Sequence, residues 1–327
     1  MHSVVVIEKN RVAAQRIARI LSSGCGGVPV AIAEESAEAE RAFGAGAPLL
    51  LACDAADLPF AAAWLDRWPS AKALLWARED VAGVLARVKD DRRFASVVGW
   101  PAFASIPRPW ELLLATRRLV DPSASVPELS DLLAFGAHIA RWRPRTTADR
   151  DRVLEEVGAL AERLGLGGRV GDRLVEAVHE LVMNAMYDAP VDGWGQPRYA
   201  QNRRADLELE EAEIPTLRVG YDGVTLAIEA ADPFGRLRDD EVLDGILRGA
   251  RNQVSDSTLL DTRNGGAGLG LWRLHSTSMA LLVEVRPLES TRVLWFFDTD
   301  VNPRDTRGMP ASLHLFRTDT AEWGTRP

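Results

Sequence analysis

Lysine is the residue that this chain of 327 amino acids most clearly lacks. Only Lys9, Lys72 and Lys89 occur, and none follows residue 89. A P-loop requires a lysine directly after its glycine-rich turn, and a eukaryotic-type protein kinase requires a strand lysine on the phosphates of ATP. Neither kind of nucleotide site can therefore be built in the second half of the chain.

Cysteine, histidine and long apolar runs are also scarce. Cys25 and Cys53 are too few for a disulfide framework or a metal cluster, and the five histidines are scattered without the spacing of a zinc site. No stretch reaches the roughly 18 apolar residues of a membrane span, and the first ten residues lack the pattern of a secretion signal. We therefore expect a cytoplasmic protein with no membrane partner.

The charge and length restrict the partners and the number of domains. A net charge of -8 with no basic tail argues against binding to nucleic acid, which needs clustered Lys and Arg on the phosphates. We expect a protein signalling partner and small ligands instead. Because domains usually contain about 100 to 200 residues, 327 residues predict two globular domains.

The first 120 residues alternate short β-type runs with helical patterns. The β-type runs are SVVVI at 3–7, VPVAIA at 28–33, PLLLAC at 48–53, KALLWA at 72–77 and FASVVGW at 94–100. Five strands that alternate with helices predict an α/β domain with a doubly wound, five-stranded parallel sheet. In such sheets ligands bind at the carboxyl ends of the strands.

The strand order, the size and the final helix of residues 1–120 resemble a response-regulator receiver domain. The resemblance makes Asp54 the candidate phosphoacceptor and assigns Glu8 to the acidic pair that holds a metal ion. Trp100 stands where receivers carry the lysine that neutralises the phosphoaspartate, and it cannot supply that cation. Two interpretations stay open: Asp54 is phosphorylated, or the domain is a degenerate receiver kept as a docking or dimerisation surface.

Residues 121–130 read DPSASVPELS, which is typical of a linker. We expect the linker and a connecting helix to extend over residues 121–146. This segment is too short for the two-helix dimerisation hairpin of a histidine kinase, since a helix rises only about 1.5 Å per residue. His138 is followed by Ile139 rather than by an acid, and we interpret it as an ordinary helix-surface or interface histidine.

Helical periodicity returns over residues 147–166 and 169–188, with an apolar stripe in the second helix. Glu180 and Asn184 lie four residues apart and therefore share one face of that helix. On such a face a carboxylate can orient a hydroxyl group while an amide oxygen holds a metal ion. Alone, this pair is too common on surface helices to indicate a site.

The pair of Glu180 and Asn184 becomes informative because it belongs to the first of three segments that follow one another along the chain. These segments are HELVMNAMYDA at 179–189, ADPFG at 231–235 and GGAGLGL at 265–271. Their succession resembles the ATP-binding domain of the gyrase, chaperone, histidine-kinase and MutL (GHKL) superfamily, over residues 147–302. The resemblance implies a C-terminal α/β sandwich, with a mixed sheet covered by helices on one face. It implies that Glu180 is the general base and that Asn184 coordinates Mg²⁺. Asp188 stands where many of these kinases carry His or Arg, which leaves a phosphate contact there in doubt.

The second and third segments supply the rest of the implied ATP site. Asp232 would accept a hydrogen bond from the adenine amine, and Gly235 would let the chain turn close to the base. The glycines ahead of a helix would bring backbone N–H groups to phosphate; these are Gly266, Gly268 and Gly270. Residues 237–263 would form a mobile lid, whose arginines are candidates for a phosphate contact: Arg248, Arg251 and Arg263.

Two functions follow from this resemblance, both of them dependent on Mg-ATP. The first is a protein kinase similar to the anti-sigma-factor serine kinases, which also lack the dimerisation hairpin; the acceptor hydroxyl would come from a partner protein. The second is a non-catalytic switch, in which ATP binding controls the docking of a signalling partner. A homodimer is compatible with either function. Residues 303–327 form a polar tail with one candidate edge strand.

Overall fold

A computed structural model describes residues 4–43, 48–78, 81–254, 267–300 and 309–318. The chain divides into two compact units. The first unit comprises Met1–Val126 and Pro303–Phe316, and the second comprises Pro127–Asn302 and Arg317–Pro327. The protein is an α/β protein with both parallel and antiparallel strand pairs, which confirms the predicted fold class at that level.

The described elements follow one another in this order. The strands are β1 (Val4–Ile7), β2 (Val30–Ala33), β3 (Leu50–Asp54), β4 (Lys72–Ala77), β5 (Ser96–Gly99), β6 (His138–Trp142), β7 (Thr216–Tyr221), β8 (Thr225–Asp232), β9 (Ala280–Arg286), β10 (Ser290–Asp298) and β11 (Ser312–Arg317). The helices are α1 (Arg11–Gly24), α2 (Ser36–Phe43), α3 (Leu58–Arg67), α4 (Val81–Val88), α5 (Pro109–Val120), α6 (Thr147–Arg163), α7 (Gly168–Met183), α8 (Asp239–Val254) and α9 (Ala267–Thr277). In the described part of the chain, no helix is both long and apolar enough to cross a membrane.

The first unit is built on five parallel strands in the order β2-β1-β3-β4-β5. This order is one of the two common arrangements of doubly wound sheets. The strands are continuous apolar runs because a parallel sheet is covered on both faces; all four residues of β1 are buried. Helix α1 packs against α5 and is capped by Asn10, whose side chain accepts hydrogen bonds from Val12 N and Ala13 N.

The strand predicted in the C-terminal tail exists as β11, and its residues up to Phe316 belong to the first unit. It lies antiparallel to β5, with Leu313 opposite Val97. The contact needs Gly99, because a Cβ atom at this position would overlap the carbonyl of Pro310. The Gly99 N–H donates to Ser312 Oγ at 2.8 Å. The tail therefore completes the sheet of the first unit, which sequence reasoning did not predict.

A buried polar group holds β11 in place. His314 Nε2 lies 3.1 Å from Glu111 Oε2, and its Nδ1 lies 3.2 Å from Ser96 Oγ. All three side chains are buried. Arg108 forms an ion pair with Glu111 at 2.7 Å. Although a serine, a histidine and a glutamate meet here, the group has no access to solvent, so we interpret it as a structural clamp.

The second unit contains a sheet in the order β9-β10-β8-β7-β6, and each of the described strand pairs in it is antiparallel. The predicted mixed sheet in this half of the chain is therefore wrong. Residues 222–224 join β7 to β8, and residues 287–289 join β9 to β10. Connections this short only permit antiparallel neighbours, since a parallel pair needs a crossover of a dozen or more residues.

The predicted connecting helix in residues 121–146 is also wrong. Residues His138–Trp142 form strand β6, which pairs with β7 in the register His138 opposite Tyr221. As an edge strand, β6 buries little side-chain surface, so its sequence carries no helical stripe. His138 accordingly lies on a sheet edge and not on a helix. Helix α6 begins at Thr147 with a capping box between Thr146 and Asp149.

Four charged side chains cross the second sheet from strand to strand. Arg218 pairs with Glu229 at 3.0 Å, and Arg292 pairs with Glu229 at 2.8 Å and with Glu284 at 2.9 Å. The two glutamates are buried. The surrounding acids raise the pKa of Arg292 although burial opposes the change. The network compensates the buried carboxylates, which would otherwise strongly destabilise the sheet.

Candidate functional site

The first predicted segment lies at the end of α7, which continues as a π-helical turn over Asn184–Asp188. The Ala189 N–H donates to the Asn184 carbonyl at 2.9 Å. The hydrogen bond thus joins residue i to residue i+5, as in a π-helix, rather than to i+4. Such turns occur frequently at functional sites. Glu180 and Asn184 are both half-buried, on either side of the junction between the two kinds of helix.

The glycine-rich segment lies against this helix. Helix α9 passes so close to α7 that a Cβ atom at Gly270 would overlap the carboxylate of Glu180. Arg273 Nη1, one turn further along α9, donates to Glu180 Oε1 at 3.3 Å. The tertiary structure thus brings together two of the three predicted segments.

A cleft of about 440 Å³ opens where α6, α7 and α9 meet. It is lined by Arg150, Asp151, Leu154, His179, Glu180, Met183, Arg203, Arg204, Leu269, Gly270 and Arg273. Four arginines and two acids make the cleft positively charged in a chain whose net charge is -8. A concave site with this charge favours an anionic ligand.

Besides Arg273, two arginines of the cleft are bound to neighbouring side chains. Arg150 Nη2 donates to Asp151 Oδ1 at 2.6 Å, and its Nη1 donates to the Tyr187 hydroxyl at 3.1 Å. Arg203 forms an ion pair with Asp188 through Nε, at 3.0 Å, and through Nη2. Burial raises the pKa of Asp188, and the ion pair with Arg203 opposes that increase.

Arg203 is the functional candidate that sequence reasoning missed. It lies in the polar insertion between the first two segments, where arginines are frequent and no spacing distinguishes one from another. Only the fold shows that the insertion returns to the π turn. The Tyr187 hydroxyl donates to the Ala205 carbonyl at 3.1 Å and ties the two segments together.

Asp232 ends β8, as predicted, but it does not belong to the residues that line the cleft. Its Oδ1 accepts a hydrogen bond from Phe234 N at 2.9 Å. Burial raises the pKa of Asp232 to about 6, against hydrogen bonds from Phe234, Thr291 and Gly235 that lower it. Asp232 is therefore a half-buried acid at the end of a strand, and its contact with an adenine amine remains a prediction.

The structure provides a reason for Gly235 that does not involve a ligand. Its φ angle is +60°, in the left-handed region that favours glycine. A Cβ atom there would overlap the carbonyl of Arg286, and the Gly235 carbonyl accepts a hydrogen bond from Leu288 N at 3.2 Å. Gly235 therefore packs against the turn between β9 and β10, and its predicted role beside the base remains a prediction.

The predicted lid is only partly described. Its residues 239–254 form α8, which buries an apolar side and packs against α9. The two helices approach so closely that a Cβ atom at Gly249 would overlap Trp272. This part is therefore a packed helix rather than a free loop, and Arg248 and Arg251 are exposed on it. Gly268 lies in the first turn of α9, whereas Gly266 and Arg263 lie outside the described residues.

An arginine side chain lies at the carboxyl ends of the strands in the first unit, beside the predicted phosphoacceptor. Arg78, which follows β4, donates through Nη2 to the buried Glu8 Oε2 at 2.9 Å and through Nε to Asp54 Oδ2 at 3.4 Å. Its guanidinium lies 3.6 Å from the ring centroid of Trp100, a favourable cation–π distance. Arg78 thus neutralises the predicted phosphoacceptor, a role that sequence reasoning assigned to no residue.

Among the described residues, no group of three or more His, Cys, Asp or Glu side chains could hold a metal ion by itself. A magnesium ion in the cleft would therefore need ligands from a bound phosphate and from water, which is how Mg²⁺ usually binds in nucleotide sites. The amide oxygen of Asn184, the predicted magnesium ligand, is a suitable hard donor, but Asn184 is not among the residues that line the cleft.

No model of a known protein family and no curated protein matches the chain. A fold class alone does not define an activity. The residues of the cleft and their chemistry are therefore the basis for a functional assignment.

Proposed function

We propose that the second unit binds Mg-ATP in the manner of the GHKL superfamily and that the protein is an ATP-dependent kinase of a partner protein. One observation carries this proposal: Glu180, the glycine-rich helix α9 and four arginines line the same cleft of about 440 Å³. The residues of the cleft come from separate parts of the sequence. Together they provide a carboxylate, a glycine-containing helix that lines the cleft at Gly270, and positive charge.

Each group has a chemical task in this proposal. The arginines neutralise the phosphates, and Gly270, which has no side chain, leaves room for the carboxylate of Glu180 beside α9. Asn184 would hold magnesium, and the ion would supply charge neutralisation on the transferring phosphoryl group. Asp232 accepts a hydrogen bond from the adenine amine.

Glu180 is the general base in this proposal. The hydroxyl oxygen of the partner protein forms a bond to the γ-phosphorus of ATP while the bond from that phosphorus to the bridging oxygen breaks, and ADP leaves. The proton of the hydroxyl passes to the carboxylate of Glu180. Arg273, 3.3 Å from Glu180 Oε1, orients this carboxylate in the ligand-free protein.

The same ion pair supports the alternative function, a non-catalytic switch that binds ATP and docks a signalling partner. A carboxylate that stays paired with Arg273 is not free to contact the hydroxyl group of a partner protein. In both functions we propose that the first unit is a degenerate receiver that serves as a docking or dimerisation surface. Arg78 supports this, because it occupies the position between Glu8 and Asp54 that a metal ion and a phosphoryl group would need.

Calorimetric titration with ATP, with and without magnesium, tests nucleotide binding on the wild type and on Asp232→Asn. Transfer of labelled phosphate from ATP to proteins of a cell extract then compares the wild type with Glu180→Ala. Glu176→Ala is the matched control, because Glu176 is an exposed acid one turn earlier on α7.

The kinase proposal expects magnesium-dependent binding that is lost in Asp232→Asn, and a labelled partner that is lost in Glu180→Ala but not in Glu176→Ala. Binding without transfer favours the switch. An absence of ATP binding by the folded wild type refutes both functions.

A further inference from the structure

One of the arginines that line the cleft is paired with a carboxylate that does not line it. Arg203 lines the cleft, whereas Asp188, its partner, does not belong to the lining. We propose that Arg203, positioned by Asp188, binds the terminal phosphates of ATP. This inference rests on the proposed function and deepens it, since it assigns the phosphate contact to an insertion rather than to helix α7.

The pairing fixes the direction of the guanidinium group. Asp188 accepts hydrogen bonds from Nε and Nη2 of Arg203, which lie along one edge of the planar guanidinium group. A guanidinium has five N–H donors, so this contact leaves the remaining ones available to an anion. A planar group held along one edge and open along another suits bidentate recognition of phosphate.

The insertion around Arg203 is anchored at several points. The Leu207 N–H donates to Thr147 Oγ1 at 3.0 Å, and the Thr147 N–H donates to the Leu207 carbonyl at 3.2 Å. Together with the contact from Tyr187 to the Ala205 carbonyl, these bonds tie the insertion to α6 and to the π turn. The Arg203 side chain is 19% exposed, and the cation is therefore placed in advance of ligand binding.

The neighbouring arginines differ in ways that make them useful for comparison. Arg204 also lines the cleft but is exposed, and its backbone N–H is held by Asn202 Oδ1 at 3.3 Å. Arg150 is engaged with Asp151 and Tyr187, and Arg273 with Glu180. Arg203 combines low exposure with a carboxylate partner that lies outside the lining.

The test measures the affinity of the full chain for ATP, AMP and inorganic tripolyphosphate at constant salt and magnesium, by calorimetry. In Arg203→Ala we expect ATP and tripolyphosphate to bind roughly 10- to 100-fold more weakly, since a hydrogen-bonded charge contact is lost. AMP binding should change less than about threefold because AMP lacks the terminal phosphates. Arg204→Ala, with the same change in charge, should have a clearly smaller effect on ATP.

Asp188→Ala distinguishes positioning from simple electrostatics. The removal of a negative charge beside a cationic cleft would strengthen anion binding if Asp188 acted only through its field. If Asp188 positions Arg203, ATP should bind roughly tenfold more weakly in Asp188→Ala, and Asp188→Asn should recover part of the loss through its amide oxygen. Circular dichroism and the unfolding temperature provide the check that each variant is folded.

The possible results separate the inference from the proposed function. Wild-type affinity for ATP in Arg203→Ala, tighter binding in Asp188→Ala, or an equal loss of AMP and ATP affinity overturns the role of Arg203 and leaves ATP binding intact. If the wild type binds tripolyphosphate through Arg203 but does not bind ATP, the proposed function fails and the anion site stands.

Discussion

Asp232 provides a prediction that links the candidate site to stability. In Asp232→Asn the carboxylate becomes a neutral amide of the same shape. The amide oxygen keeps the hydrogen bond from Phe234 N, which measures 2.9 Å in the wild type. The substitution therefore removes the charge of this strand-end residue and keeps an oxygen acceptor for the Phe234 N–H.

The pKa of Asp232 determines the size and the sign of the effect. Burial raises this pKa from its ordinary value of 3.8 to about 6. Below pH 3.8 the side chain is protonated in both the folded and the unfolded state, and it has no differential effect. Above about pH 6 it is ionised in both states, and the folded state bears the cost of the buried charge. This cost is at most about 3 kcal/mol, and we expect about 1 to 3 kcal/mol because the residue is only half-buried.

The wild type should therefore lose stability between about pH 4 and pH 6 through Asp232, and Asp232→Asn should not. At pH 7.5 we expect the variant to unfold roughly 3 to 9 °C higher than the wild type, and at pH 4 with little difference. Differential scanning calorimetry at both pH values measures this. The same variant should fail to bind ATP, and this failure could not result from unfolding.

Asp222→Asn is the matched control, and we expect it to change the stability at neutral pH in the opposite direction. Burial alone would raise the pKa of Asp222, but backbone N–H donors of Ala134, Thr225 and Val224 outweigh burial and lower it. Its ionised form therefore stabilises the fold at neutral pH, and Asp222→Asn should lower the unfolding temperature at pH 7.5 but not at low pH. If Asp232→Asn destabilises the protein at pH 7.5 as Asp222→Asn does, the assignment of a buried, costly carboxylate at Asp232 is wrong.

Three further predictions concern contacts outside the cleft. Arg78→Ala should free Glu8 and Asp54 to bind magnesium weakly, detected as a change in tryptophan fluorescence that the wild type does not show; an equal response of both proteins would contradict the neutralising role of Arg78. Arg292→Met removes one ion pair from each of the buried carboxylates of Glu229 and Glu284, although Glu229 keeps its pair with Arg218, and should lower the free energy of unfolding by about 3 to 5 kcal/mol in urea titrations. His314→Ala removes the clamp on β11 and should destabilise the first unit by about 2 to 3 kcal/mol, seen as faster amide exchange in β5 and β11; unchanged exchange there would disprove the clamp.

The elements with local signals were predicted well. The parallel strands of the first unit are short apolar runs between turn residues, and helix α7 shows a regular apolar stripe. Both patterns reflect how a single element buries its own side chains, so they are visible in the order of residues alone. The candidate residues Glu180 and Asn184 could be selected because one helix carries both of them.

The elements that depend on distant partners were missed. Strand β6 has few buried residues and exists because β7 offers its edge, so it was mistaken for a helix. Strand β11 was expected as an edge strand, but its partner β5 lies more than 200 residues earlier in the chain. Pairing of this kind leaves only a weak local pattern, since the stabilising hydrogen bonds come from another segment.

The same distinction applies to the candidate sites. Residue order identified the carboxylate, amide and glycines that lie on or before individual helices, because spacing along a helix determines which side chains share a face. The cations were decided by tertiary structure: Arg203 reaches the π turn through a folded insertion, and Arg78 reaches Asp54 from a neighbouring strand. A long, flexible arginine side chain can pair with whatever acid the fold brings within reach, and its position in the sequence does not reveal that acid.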